Sequence, residues 1–316
     1  MSIRFPKEFV QGADGELEWF MRDRQEHQQA VCRFLQEHLS IPEWSFSLPR
    51  GSGMESYLAK GNGQSYFVKV GVQAEQYVAM AEIGLTPPVL VDGQLEDGLS
   101  VIVQPFIEGR RPSRLDYRNQ LLEVAGLIRK MHNDSQIKEV LPAVSSSSYK
   151  DAGLRALDRL RQKWEHYKEQ VPLVTDFVDS SLEYLAQQVN TFSGEGLVAS
   201  HGDICNANWL FTSDGKIYIL DFESMALDDP ALDMGALLWW YFPPELRKQF
   251  LDIAGYRYDD EFKFRMRVRM GMHSLDITLP RERSFDSFEP NTYHEALRDF
   301  RAILNGEENP EGYITG

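Results

Sequence analysis

The chain has 316 residues, 42% of them hydrophobic and 12% aromatic, which is enough apolar material for a sizeable core in two lobes and argues against a disordered chain. With 48 acidic against 33 basic residues the net charge is -15, a balance that repels nucleic acid and anionic membranes and attracts cationic small molecules. No apolar run approaches the roughly 20 residues of a membrane helix, the opening MSIRFPKEFVQGADGE lacks the apolar stretch of a secretory signal, and Cys32 and Cys205 form no CxxC pair; a soluble cytoplasmic protein with neither a nucleic-acid nor a membrane partner is expected.

In chain order, Phe20, Ala30, Val31, Phe34, Leu35 and Leu39 recur loosely at helical intervals among charges, predicting an amphipathic helix over Trp19 to Leu39. Ser56 to Ala59 and Tyr66 to Val70 flank the turn signal Lys60-Gly61-Asn62-Gly63 and predict a β-hairpin, preceded by the glycine-containing loop RGSGMES. Gln73 to Ile83 has helical composition and stops at Gly84, and PPVLVD and SVIVQPF read as two further strands. Beyond IEGRRPSR, helical patterns run over Leu115 to His132, Tyr149 to Gln170 and Pro172 to Asn190, with the serine run Ser145 to Ser148 a short loop between them. The change from strand to helix near Phe106 to Arg111 assigns residues 1–106 to an N-terminal lobe and 107–316 to a C-terminal lobe.

Further on, Leu197 to Ser200, Trp209 to Phe211 and Lys216 to Leu220 read as three short strands, the last two joined by the turn Ser213-Asp214-Gly215. Asp203 and Asn208 lie in the loop between the first two, and Asp221-Phe222-Glu223 follows the third. Two strand-tethered sites presenting Asp203, Asn208 and Asp221 suit phosphoryl transfer to a hydroxyl. An aspartate there orients the acceptor and takes its proton, while an asparagine oxygen and a second aspartate hold magnesium. Zinc is disfavoured, because His201 and Cys205 are the only soft ligands near the loop. Taken singly, these residues read as turn and cap residues; it is the ordered set, with strands on both sides, that favours catalysis.

The run His201-Gly202-Asp203, Asn208 and Asp221-Phe222-Glu223 resembles the aminoglycoside phosphotransferase and choline kinase family. That resemblance implies an α+β, two-lobed, protein-kinase-like fold: an N-terminal lobe of antiparallel sheet with a helix, and a larger, mainly helical C-terminal lobe. It makes Asp203 the catalytic base and Asn208 and Asp221 the magnesium ligands. Lys69 in YFVKV resembles the lysine that contacts nucleotide phosphates, with Glu75 its ion-pair partner and Glu82 the alternative. Ser52 and Gly53 resemble the loop that covers the nucleotide, and Gln104, Phe106 and Ile107 fall in the interlobe hinge beside the adenine. No GxxxxGK[ST] occurs, which disfavours a P-loop NTPase. In DDPALDMGALLWW, Asp229-Pro230 and Asp233 match the family and Asp228 replaces its glycine; Asp233 is expected to brace the catalytic loop. Cys205 and Asn206 stand where many relatives have His-Pro.

The reading that results is an ATP- and magnesium-dependent phosphotransferase acting on a hydroxyl of a small cationic molecule, an amino alcohol such as choline or a similar metabolite. An aminoglycoside acceptor is one alternative, and a nucleotide-binding pseudokinase acting as sensor or scaffold is another of a different class. His201 is read as structural, Cys205 as unreactive, and Trp239 to Phe242 as packing. RMRVRM (Arg265 to Met270) is read as a solvated face, and Asp276, Glu282, Asp286 and Glu289 fall where relatives build acceptor sites. Nothing in the chain marks an oligomeric state.

Overall fold

The computed structural model of the protein describes residues 14–47, 56–277, 279, 288 and 290–307. Its contacts divide the chain into one unit reaching to Ala81 with Pro87–Ile107, and a second formed by Glu82–Thr86 and the chain from Glu108 onward.

The first unit contains α1 (Asp14–Leu39), β1 (Ser45–Ser47), β2 (Ser56–Gly61), β3 (Gln64–Val70), α2 (Ala74–Glu82, its last residue in the second unit), β4 (Val91–Gln94) and β5 (Ser100–Pro105). The strands form one antiparallel sheet in the order β1-β2-β3-β5-β4. The β2–β3 hairpin closes on Asn62 and Gly63, with φ of 51° and 75°, the left-handed pair that an Asn-Gly turn supplies. Val31, Phe34 and Leu35 of α1 bury themselves with Tyr57, Val68, Val101 and Val103 of the sheet. Each such side chain contributes about 1.5–3 kcal/mol. Gly93 on β4 keeps this packing close, since a Cβ there would lie 3.0 Å from the Phe34 ring.

The second unit holds β6 (Gly109–Arg110), α3 (Arg114–Asn119), α4 (Leu121–Asn133), α5 (Ser135–Val140), α6 (Tyr149–Tyr167), α7 (Thr175–Val189), β7 (Val198–Ser200), β8 (Trp209–Thr212), β9 (Ile217–Ile219), β10 (Ala226–Asp228), α8 (Ala231–Tyr241), α9 (Pro244–Ala254), α10 (Asp260–Asp276) and α11 (Pro290–Leu304). The helix expected over Leu115 to His132 is two helices. Gln120, at φ -110° and ψ 28°, leaves the helical region, and α3 is fixed independently by a capping box between Ser113 and Asp116. The serine run is a loop that ends in a cap: Ser148 Oγ accepts Asp151 N–H over 3.0 Å at the start of α6. Trp164, Leu182, Leu185, Val268, Leu275 and Phe300 form the core shared by α6, α7, α10 and α11.

The expected solvated face on RMRVRM is corrected by the structure. Arg265 and Arg269 are buried, and their guanidinium groups meet carboxylates: Arg265 Nε donates to Asp229 Oδ2 over 2.9 Å, and Arg269 Nη2 to Asp228 Oδ2 over 2.7 Å. A buried guanidinium is tolerated because each has such a partner. Arg265 also lies over the Tyr149 ring, 4.1 Å from its centre. Helices α8 and α10 approach closely at Gly235, where a Cβ would sit 2.7 Å from Met270 Cγ.

Candidate active site

Strand β7 pairs antiparallel with β10, Ser200 opposite Ala226, and delivers the chain into the loop beginning at His201. That loop is held from α8 by the fully buried Asp233, whose Oδ2 accepts His201 N–H over 2.7 Å and whose Oδ1 accepts Gly202 N–H over 3.0 Å. His132 Nε2 on α4 lies 3.0 Å from the same carboxylate, and its Nδ1 is 2.7 Å from the Tyr256 hydroxyl. Burial opposes ionisation of Asp233, but the hydrogen bond and charge of His132, with further help from His201, outweigh it and hold the carboxyl below its usual range.

His201 has both ring nitrogens engaged. Nδ1 accepts Asp203 N–H over 3.3 Å, and Nε2 donates to the Leu220 carbonyl over 2.9 Å, which assigns the proton to Nε2. The residue thus ties the loop to the end of β9 and is not available as a base. Gly202 has φ 78°, and a Cβ there would lie 2.5 Å from Ser224 O. Glycine is therefore demanded by both conformation and space.

Asn208 and Asp221 are brought together by backbone. Strands β8 and β9 pair Trp209 with Ile219, and one step beyond, Leu220 N–H donates to Asn208 O over 2.8 Å, so Asp221 emerges beside Asn208. Asn208 Nδ2 donates to Asp203 O over 2.7 Å, which leaves its Oδ1 as the free end of the amide. Asp221 is exposed and has φ 65°, a left-handed conformation uncommon for a residue with a Cβ. Two oxygen side chains of this type suit a hard cation that takes its remaining ligands from phosphate and water. Among the described residues no group of three or more His, Cys, Asp and Glu is placed to hold a metal.

Asp203 is half-buried, and its carboxylate charge acts on the Cys205 thiol. Burial first, and then the Asp203 charge, push that thiol up from its ordinary value. Asn206 N–H donates to the Tyr241 hydroxyl over 3.0 Å. Of the aromatic run, Trp239 and Phe242 are buried as expected, while Tyr241 supports the loop. Sequence reasoning missed His132, Tyr241 and Tyr256; the one available signal was a histidine continuing the apolar face of α4 after Val124, Ile128 and Met131.

In the first unit, Lys69 on β3 is buried and its Nζ donates to the Tyr77 hydroxyl over 2.9 Å. The expected pairing with Glu75 is not formed. Glu75 occupies the exposed first turn of α2 and makes no ion pair among the described residues, because the buried face of the helix is carried by Gln76 and Tyr77. Glu82 is exposed at the end of α2. The Gln104 side chain is buried and donates to Pro87 O over 2.6 Å, and Phe106 N–H is used by Ser65 O at 2.9 Å. Ile107 follows, half-buried, with its N–H lacking an acceptor among the described residues. Ser52 and Gly53 lie outside the described residues, as do Glu282, Asp286 and Glu289; Asp276 pairs with Lys163 Nζ at 2.7 Å.

Residues 49–267 match the family model described as the phosphotransferase enzyme family, APH. The chain belongs to this family. Among solved structures, the phosphotransferase is similar to a choline/ethanolamine kinase family protein from Mesorhizobium loti (TM-score 0.66, 15% identity, 90% of this chain and 96% of that one). It is also similar to aminoglycoside 2'-phosphotransferase-IIIa in its GDP complex (TM-score 0.63, 15% identity, 90% and 99% covered) and to the choline kinase LicA from Streptococcus pneumoniae (TM-score 0.57, 17% identity, 89% and 99% covered). These likenesses show the protein-kinase-like fold, with its N-terminal antiparallel sheet and mainly helical C-terminal part. The chain is a small-molecule phosphotransferase. Among the described residues no helix is long and apolar enough to cross a membrane.

Proposed function

We propose that the phosphotransferase moves the γ-phosphate of ATP, with magnesium, to a hydroxyl of a small cationic molecule, an amino alcohol such as choline or a similar metabolite. The observation that carries this reading is the convergence of Asp203, Asn208 and Asp221 through two contacts, Asn208 Nδ2 to Asp203 O and Leu220 N–H to Asn208 O. A nucleotide complex is described for several structural neighbours, including one with ADP and spectinomycin, and supports the nucleotide part.

Asp203 orients the acceptor hydroxyl and takes its proton as the hydroxyl oxygen bonds to the γ-phosphorus and the bond to the bridging oxygen breaks, releasing ADP. Asn208 and Asp221 would hold magnesium, which when bound supplies positive charge to the phosphate oxygens. Lys69, its ammonium steadied by the Tyr77 hydroxyl, offsets charge on the nucleotide, and Ile107 N–H is the hinge donor for the base. Glu75, Gln104, Phe106, Ser52 and Gly53 are assigned to nucleotide binding on the family resemblance. The net charge of -15 favours a cationic acceptor. The protein acts in the cytoplasm.

The test is a thermal shift with ATP and magnesium, followed by ADP release across a panel of amino alcohols and aminoglycosides. Stabilisation by the nucleotide and turnover of at least one alcohol are expected, and Asp203→Ala should lower turnover by about 100- to 10,000-fold. Full turnover in Asp203→Ala would refute the assigned role, and nucleotide binding with no turnover would point to a sensor.

A further inference from the structure

We infer that His273, in the last turn of α10, flanks Asp203 on the acceptor side and hydrogen-bonds a second polar group of the acceptor, so that the preferred substrates carry an N–H or O–H close to the phosphorylated hydroxyl. This rests on Asp203 being the acceptor-facing base. His273 lies beyond residues 49–267, the stretch that matches the family model.

Three observations place the imidazole. Arg265, Arg269 and His273 are spaced four apart on α10 and share one face. Arg265 meets Asp229 and Arg269 meets Asp228, which sits opposite Val198 on β7, the strand that runs into the catalytic loop. One more turn, about 6 Å along the axis, brings His273 toward that loop. The close approach at Gly235 fixes α10 against α8, the helix whose Asp233 holds His201 and Gly202. Finally, the charges that act on the imidazole are those of Asp203 foremost, then Asp276 and Asp233, opposed by Arg269.

Of these neighbours, Asp276 is paired with Lys163 of α6, Asp233 is committed to His132 and the loop, and Arg269 is committed to Asp228. Asp203 makes no ion pair among the described residues. The His273 ring itself is half-buried and makes no hydrogen bond among the described residues, unlike His132 and His201, whose four ring nitrogens are all engaged. Burial lowers its pKa more than the three carboxylates raise it, so at neutral pH it is an uncharged ring with one donor and one acceptor. Such a ring accepts from the N–H of a primary ammonium or from a neighbouring hydroxyl. It has nothing to accept from a quaternary ammonium, which carries no N–H. The site therefore suits ethanolamine-like or amino-sugar acceptors better than choline.

The full-length enzyme with ATP and magnesium is assayed with ethanolamine, kanamycin and choline. The expected result is a kcat/KM about tenfold higher for the better of the two N–H-bearing acceptors than for choline, the size of one hydrogen bond to a charged group. His273→Ala should bring that ratio close to one, and His273→Asn, which keeps a donor and an acceptor, should restore part of it. An unchanged ratio in His273→Ala, or a preference for choline, would overturn the inference while leaving the phosphotransferase reading intact. A second arm needs no turnover: the His273 ring resonance, assigned by its loss in His273→Asn, is titrated in wild type and in Asp203→Asn. Its midpoint should move to lower pH in Asp203→Asn, where a carboxylate that raises it is gone; identical midpoints would overturn the inference even if none of the three probes were phosphorylated.

Discussion

Asp233 accepts the backbone N–H of His201 over 2.7 Å, and the same carboxylate takes Gly202 N–H and faces His132. An amide in its place has a single acceptor oxygen and no charge, so at least one of these partners is left unsatisfied. Asp233→Asn should cost about 2–4 kcal/mol in urea unfolding at neutral pH, together with a loss of turnover. The pH dependence has a definite sign. The folded carboxyl titrates below its ordinary range, so its contribution is complete above about pH 4 and is lost as pH falls through that region. The wild-type protein should thus lose stability more steeply than Asp233→Asn on acidification, and parallel acid limbs would contradict the assignment.

Gly202→Ala meets two obstacles. The residue must hold φ 78°, and its new methyl would stand 2.5 Å from Ser224 O, a backbone atom that cannot swing aside as a flexible side chain can. The conformational part alone costs about 1–2 kcal/mol, and the clash adds to it. We expect a lowered Tm and a turnover loss of at least tenfold, read by a thermal melt and ADP release. A variant with wild-type Tm and rate would show that the loop relaxes freely.

Cys205 should be a slow nucleophile. Burial and the neighbouring Asp203 charge raise its thiol pKa, which lowers the thiolate fraction at neutral pH. Alkylation by iodoacetamide at neutral pH, followed by mass spectrometry of the peptide, should be slower than for a free thiol. It should accelerate in Asp203→Asn. No change in that variant would mean that the two side chains do not interact.

The Asp228–Arg269 pair is buried on both sides. Arg269→Met strands a carboxylate in the interior and should cost about 3–5 kcal/mol. Asp228→Asn with Arg269→Met removes both charges and should recover part of that loss, giving a coupling energy in a double-mutant cycle. Additive losses in chemical denaturation would show that the pair contributes nothing of its own.

The parts of the molecule legible in the sequence are those governed by neighbours in the chain. Asn62-Gly63 announced the β2–β3 turn because only a left-handed pair closes it. The separation of Asn208 from Asp221 spanned a hairpin, and the pairing of Trp209 with Ile219 is what converts that interval into proximity. His201 read as structural, and both of its nitrogens are engaged. What escaped depends on distant partners. Alternating arginines on α10 have the pattern of a wet surface until Asp228 and Asp229, 41 and 36 residues earlier, are placed beside them. Lys69 was expected to meet a carboxylate on α2, but the buried face of that short helix begins at Gln76, so a hydroxyl from Tyr77 reaches it and Glu75 faces water. The break at Gln120 leaves no mark in apolar spacing, which continues from α3 into α4.

The two arginine–carboxylate contacts on α10 also bear on the order in which the molecule is put together. Asp228 and Asp229 leave the ribosome before the residues that neutralise them, 41 and 36 positions downstream. Until those residues emerge, Asp228 at the end of β10 and Asp229 just beyond it are bare charges that resist burial, and β7, which pairs with β10 in a two-stranded sheet, has nothing settled to pair with. We expect the β7–β10 pair to settle late in synthesis, so that a nascent chain halted before Arg265 would hold every residue of the His201–Asp221 segment without yet fixing the loop that begins at His201.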